Sequence, residues 1–306
     1  MIREVISLFE KFIKDNNLII NDLSAKEFCE LYENNYDISI LSDEYIELGN
    51  TYKTKNAKFN CYKKAYLVNP DNVISKVLMY GIKRNKITNI VSIKDIPYSK
   101  YKNNVDYITF LNDEINELFK YLLTNNIYNP KDDIDLYDLG YKARQYLWLL
   151  RTLYYDYISL ANYKEAIRIG EKILGLNKSD SYEISYTLPY LYIYLNDIDS
   201  ATLLINKSNG LALLLLNSVI SFLNNNINVS IRNLKEIYKA NPKLIELITI
   251  NTNINTFYDY MKLGSLYEEA ILIYAGYILM GDELVLKFKE FVINNLNHID
   301  EFSIEE

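Results

Sequence analysis

The residue types that carry chemistry are sparse in this chain, and their spacing points away from catalysis. There is one histidine, His298, in the C-terminal stretch. One imidazole cannot build a multi-histidine metal site, and an end expected to fray is a poor place for a triad base. No phosphate-binding loop, dinucleotide fingerprint or nucleophile elbow occurs. Asp132, Asp133, Asp135 and Asp138 resemble part of a calcium loop. The run lacks glycine at the sixth position and glutamate at the twelfth, so it reads as a solvated acidic connector. Glu268 and Glu269 sit where carboxylates cap and solubilise a helix. Cys29 and Cys61 match neither a zinc spacing nor a redox motif. They read as small apolar residues, in keeping with a reducing, cytoplasmic setting. The sequence therefore predicts no enzyme activity, no metal and no cofactor.

Two other sets suit binding. Arg144 and Arg151 are seven apart, so on a helix they share a face, with Lys142 beside them. A guanidinium pair can hold a carboxylate of an acidic or C-terminal peptide, with Tyr155 one turn on; it can equally form ion pairs with the Asp132–Asp138 run or with Glu183. Tyr182, Tyr186, Tyr190 and Tyr194 recur every fourth residue, which places them along one face of one helix. Such a stripe offers rigid amphipathic contacts to a peptide, or packs against neighbouring helices. Pro189 falls inside this stretch and is expected to kink the helix. The candidate peptide-binding set is thus Arg144, Arg151, Tyr155, Tyr186, Tyr190 and Tyr194.

These residues must be positioned by helices. The chain has 306 residues, 49% hydrophobic and 24% charged, with only 9 Gly and 5 Pro. Scarce turn residues favour long helices over a β-sandwich or barrel. The formal net charge of −7 argues against nucleic acid and against anionic membranes as partners. The N-terminus lacks the pattern of a signal peptide, and the apolar stretches Gly210–Leu223 and Ile271–Met280 are shorter than the roughly 20 residues of a bilayer span. Apolar residues recur at helical spacing over 2–14 and 105–124. Ser24–Glu27, Asp180–Glu183 and Ser265–Glu268 read as capping boxes that open helices. Asn69-Pro70 stops another. Residues 85–103 contain Pro97 and no helical stripe, which makes them an irregular connector between an N-terminal helical segment, 1–84, and a helical array, 104–306.

Within the array, Leu150, Leu153, Tyr157, Ala161, Asn162, Tyr163, Glu165 and Ala166 have the order of an αα-hairpin with a tight turn and a small residue at the crossing. Tyr45, Leu48, Gly49 and Tyr52, then Ala65 and Asn69-Pro70, repeat the theme, and small residues return at Ala166, Ala201, Ser230 and Ala270. In these features the chain resembles the tetratricopeptide repeat family. The order YKARQYLWLLR, NYKEAI, YTLPYLYIYLNDIDSA and GSLYEEA, with Arg144, Arg151, Gly264, Glu269 and Ala270 at matching places, is also similar to a set of bacterial tetratricopeptide proteins of undefined biochemistry. The resemblance implies an all-α, right-handed superhelix of helix pairs, and a protein-interaction module with a concave groove for a peptide or partner helix. A peptide-responsive regulatory protein of bacterial signalling type, and an enzyme with a site hidden in the groove, stand as alternatives.

Overall fold

In a computed structural model of the chain, residues 2–32, 37–83, 98–204, 210–249 and 265–295 are described. Among them are fifteen α-helices and no strand, so the all-α expectation holds. None of these helices is long and apolar enough to cross a membrane. The chain forms two compact units, Met1–Asn162 and Tyr163–Glu306.

The first unit contains α1 (Ile2–Asp15), α2 (Asp22–Leu31), α3 (Ile38–Thr51), α4 (Lys55–Val68), α5 (Val73–Lys83), α6 (Tyr98–Thr124) and α7 (Tyr141–Ser159). Its N-terminal core gathers Val5, Ile6 and Phe9 of α1, Ala25 and Phe28 of α2, Leu41, Tyr45 and Ile46 of α3, and Tyr62, Ala65 and Val68 of α4. Burying each such side chain contributes about 1.5–3 kcal/mol. Helices α3 and α4 cross closely because Gly49 has no side chain. A Cβ there would meet the Tyr62 ring at 2.5 Å. The Ser42 hydroxyl donates to the Ala65 carbonyl at 2.9 Å across the same crossing.

The start of α2 differs from the expectation. Its cap is Asn21, not Ser24: the Asn21 side chain accepts from the Ser24 amide at 2.8 Å, and the Ser24 hydroxyl accepts from the Asn21 amide at 3.2 Å. Asn is at least as good a cap as Ser, and it comes three residues earlier. The connector expected at 85–103 falls mostly outside the described residues. Residues 84–97 lie outside the described residues, and 98–103 already belong to α6. The two compact units divide after Asn162. Packing carries across the connector, since Tyr80 of α5 stacks on Phe110 of α6 with centroids 4.6 Å apart and Lys76 ion-pairs with Glu114.

A buried polar seam fixes α7 beside α3 and the start of α5. The fully buried Asn72 side chain donates to the Ser42 hydroxyl at 2.8 Å and to Asp43 Oδ1 at 2.9 Å, and its oxygen accepts from Gln145 Nε2 at 3.2 Å. The Tyr141 hydroxyl donates to Asp43 Oδ1 at 2.9 Å, and Lys142 Nζ donates to the Asp71 carbonyl at 2.7 Å. Each of these residues makes at least one hydrogen bond, as buried polar groups generally do, while Gln145 Oε1 has no partner among the described residues.

The second unit contains α8 (Tyr163–Leu176), α9 (Leu188–Tyr194), α10 (Ile198–Leu203), α11 (Gly210–Leu223), α12 (Ile227–Ala240), α13 (Pro242–Thr249), α14 (Leu266–Tyr277) and α15 (Asp282–Asn294). Its core runs from Tyr190 and Ile193 through Leu215, Val219, Leu234 and Ile248 to Tyr277 and Phe288. The small residues Ala166, Ala201, Ser230 and Ala270 are fully buried and fall on α8, α10, α12 and α14, every second helix. At the α11–α12 crossing the Ser218 and Ser230 hydroxyls lie 2.8 Å apart and each donates to the other's carbonyl, at 3.0 and 2.9 Å. Ser265 caps α14 as expected, accepting from the Glu268 amide.

Candidate functional site

In the first unit the turn between α3 and α4, together with α5, α6 and α7, encloses an open cleft of about 590 Å³. That falls within the range of about 300–1,000 Å³ that ligand sites occupy. Its floor is Val77, Leu78, Gly81 and Ile82 on one face of α5, with Tyr107 of α6 behind them. Gly81 leaves room: a Cβ there would only touch the Tyr107 ring, at 3.6 Å or more. Trp148 and Thr152, one turn apart on α7, make a wall. They are aimed by the polar seam, which anchors α7 through Tyr141 and Gln145 just upstream.

The rim is basic. Asn50, Lys53, Lys55 and Lys58 stand at the mouth, and among the described residues no carboxylate lines the cleft. The Tyr62 hydroxyl donates to Asn50 Oδ1 at 2.7 Å, fixing the amide there. Lys55 and Lys58 occupy the first turn of α4, capped by Thr54, with no acidic residue in that turn. Among the described residues the salt bridges of this unit engage Lys26, Lys64 and Lys76.

The predicted Arg144, Arg151 and Tyr155 share the open face of α7 with Trp148 and Thr152. The Arg144 guanidinium lies 5.5 Å over the Tyr137 ring, and that of Arg151 lies 5.2 Å over the Tyr155 ring. Both stack on aromatic neighbours within the unit, an arrangement worth about 0.5–1 kcal/mol each at exposed sites. They flank the Trp148 wall rather than line the cleft.

The tyrosine stripe does not form. Asp180 accepts from the amides of Ile184 and Ser185 at 2.8 and 3.0 Å, Glu183 takes a left-handed φ of 57°, and Ile184–Tyr186 make a single 3₁₀ turn. Helix α9 starts only at Leu188, with Pro189 in its first turn. There the missing amide costs nothing, so the proline starts the helix and does not kink it. Tyr190 and Tyr194 alone remain on α9. Tyr190 is 2% exposed in the core, edge-on to Tyr277 at 6.4 Å, and so cannot meet a ligand. Tyr194 is exposed and edge-on to Tyr163 at 4.5 Å. Tyr186 lines a separate acidic hollow of about 340 Å³ with Glu183, Glu268 and Glu269.

Among the described residues no three His, Cys, Asp or Glu side chains are grouped to hold a metal ion. Burial pushes both thiols up, Cys29 to about 11, which keeps them protonated and unreactive. His298 lies outside the described residues. Sequence reasoning missed the Lys53–Lys58 rim and Trp148. The available signal was the chain's one tryptophan standing between Arg144 and Arg151 at helical spacing. Comparison with family models, with curated proteins and with solved structures gives no match for the chain.

Proposed function

We propose that this chain is a non-catalytic binding protein whose N-terminal unit receives a segment of a protein or peptide partner in the cleft between α4, α5 and α7. The observation that carries the reading is the cleft itself: an aliphatic floor, an aromatic wall and polar groups at the mouth, set on helices and on the α3–α4 turn. Pockets of that make-up hold apolar side chains while a few polar groups fix orientation. Helix pairing of the tetratricopeptide kind belongs to the same proposal. It is supported by the glycine at the α3–α4 crossing and by the small buried residues on alternate helices of the second unit.

The test is to fill the cleft. Gly81→Phe adds a ring where a Cβ meets only ordinary contacts, so the fold should survive, as circular dichroism will verify. Peptides selected on the native chain from a displayed random library should shift the emission of Trp148, the single tryptophan. They should lose at least tenfold in affinity on the filled variant. Equal binding to both proteins would refute the assignment.

A further inference from the structure

Resting on that reading, we infer that the cleft takes an acidic segment, one that places two or three carboxylates on Lys53, Lys55 and Lys58 and an apolar side chain on the floor beside Trp148. The charge pattern carries this. The chain holds 40 Asp and Glu against 33 Lys and Arg, yet among the described residues the mouth of this cleft has three lysines and no carboxylate. Three other lysines of this unit are ion-paired: Lys64 meets Glu10 at 2.7 Å, Lys26 meets Asp22 at 3.5 Å, and Lys76 pairs with Glu114. The rim lysines have no ion pair among the described residues, and the lysine at each end of the trio is five residues from the other, so all three can face one short segment. Opposite charge across such a surface selects the partner and speeds its approach.

A single-stranded nucleic acid is the competing anion, and two features disfavour it. A net charge of −7 repels a long polyanion more than a short acidic segment. The floor is aliphatic, Val77, Leu78 and Ile82, with Tyr107 buried behind it. Stacking of successive bases needs several exposed aromatic faces, and of the rings that line the cleft only Trp148 is not buried.

The experiment uses the full chain and three pools of twelve-residue peptides with identical leucine and phenylalanine content. The remaining positions are acidic, neutral or basic. Binding is followed by Trp148 emission and by calorimetry. The acidic pool should bind about tenfold tighter than the neutral one, the product of two or three exposed ion pairs. That preference should vanish in Lys53→Glu/Lys55→Glu/Lys58→Glu while neutral-pool binding persists. A glutamate in the first turn of α4 suits the helix dipole, so the variant should melt no lower than the native chain and a lost preference cannot be ascribed to unfolding. Equal affinity of native chain for the acidic and neutral pools overturns the inference and leaves the cleft reading standing. No binding of any pool overturns both. Tighter binding of a twelve-nucleotide single strand than of the acidic pool also overturns the inference.

Discussion

Replacing Gly276 by alanine is expected to destabilise the second unit, although alanine is the better helix former. An ideal Cβ at Gly276 of α14 would lie 1.9 Å from the Tyr186 carbonyl oxygen and 2.9 Å from its carbon. A carbon–oxygen contact settles at about 3.3 Å, so roughly 1.4 Å of separation must be found. The obstacle is backbone, held by the Asp180 cap and the 3₁₀ turn Ile184–Tyr186, and it cannot swing aside as a side chain would. Overpacking costs about 1–3 kcal/mol, and a rigid obstacle sets the upper end. The helical gain of alanine over glycine returns about 1 kcal/mol. The net loss is about 2 kcal/mol, or a fall in Tm of roughly 5–8 °C for a unit of this size. Gly175 of α8 is the control. Nothing lies within 4 Å of its Cβ position, so Gly175→Ala should gain about 0.5 kcal/mol. Thermal unfolding of both variants, checked by urea midpoints, decides the matter. A rise in Tm for Gly276→Ala matching that of Gly175→Ala would mean that α14 does not rest on residue 186.

Two further outcomes follow from buried polar groups. Burial raises the Asp43 carboxyl above its ordinary value, against the lowering pull of the Tyr141 and Asn72 hydrogen bonds. The folded chain therefore holds this proton more tightly than the unfolded chain, and stability falls as pH rises from the ordinary carboxylate range through the folded pKa, then levels. Asp43→Asn keeps an acceptor oxygen and removes that slope. Urea unfolding from pH 3 to 8 should show the variant gaining on the native chain through this window, and a constant difference at every pH would contradict the assignment. Tyr190 buries a hydroxyl with no hydrogen-bond partner among the described residues, so Tyr190→Phe should stabilise by about 1 kcal/mol; a loss of that size in chemical denaturation would show that the hydroxyl is satisfied.

The helices were legible because their signals are local. Asn69-Pro70 ends α4 at Val68, Ser265 opens α14, and the periodicity over 105–124 is α6. Where expectation and fold part, two local signals competed. At Ser24 a second cap residue stood three positions earlier, and the chain used it. At Pro189 a fourfold tyrosine spacing argued for one long helix, while the proline could join a helix only in its first turn. The imino ring prevailed, since a Tyr repeat stabilises nothing until it has a surface to pack on. The cleft was not legible at all. It draws on five helices and a turn spread from Asn50 to Thr152, and no periodicity within one segment encodes that meeting. Nor does any pattern announce Asn72, whose side chain ties α3 to α7.

The lysines at the start of α4 gain weight when set against the other helix starts. Helices α1, α2, α8, α14 and α15 each place a carboxylate in the first turn, where the helix dipole favours it. Nine of the fifteen α-helices among the described residues have no carboxylate there; α7 carries Lys142 and Arg144, of which Lys142 donates to the Asp71 carbonyl and Arg144 stacks over Tyr137. Helix α4 carries Lys55 and Lys58 in its first turn, and Lys53 stands just before the cap. No ion pair within the described residues offsets that arrangement, which at exposed positions costs about 0.3–1 kcal/mol per charge. Departures from local consistency without internal compensation are expected where function requires them. Here the departure coincides with the mouth of the apolar-floored cleft, so an external carboxylate on these lysines would relieve the same repulsion that marks the site.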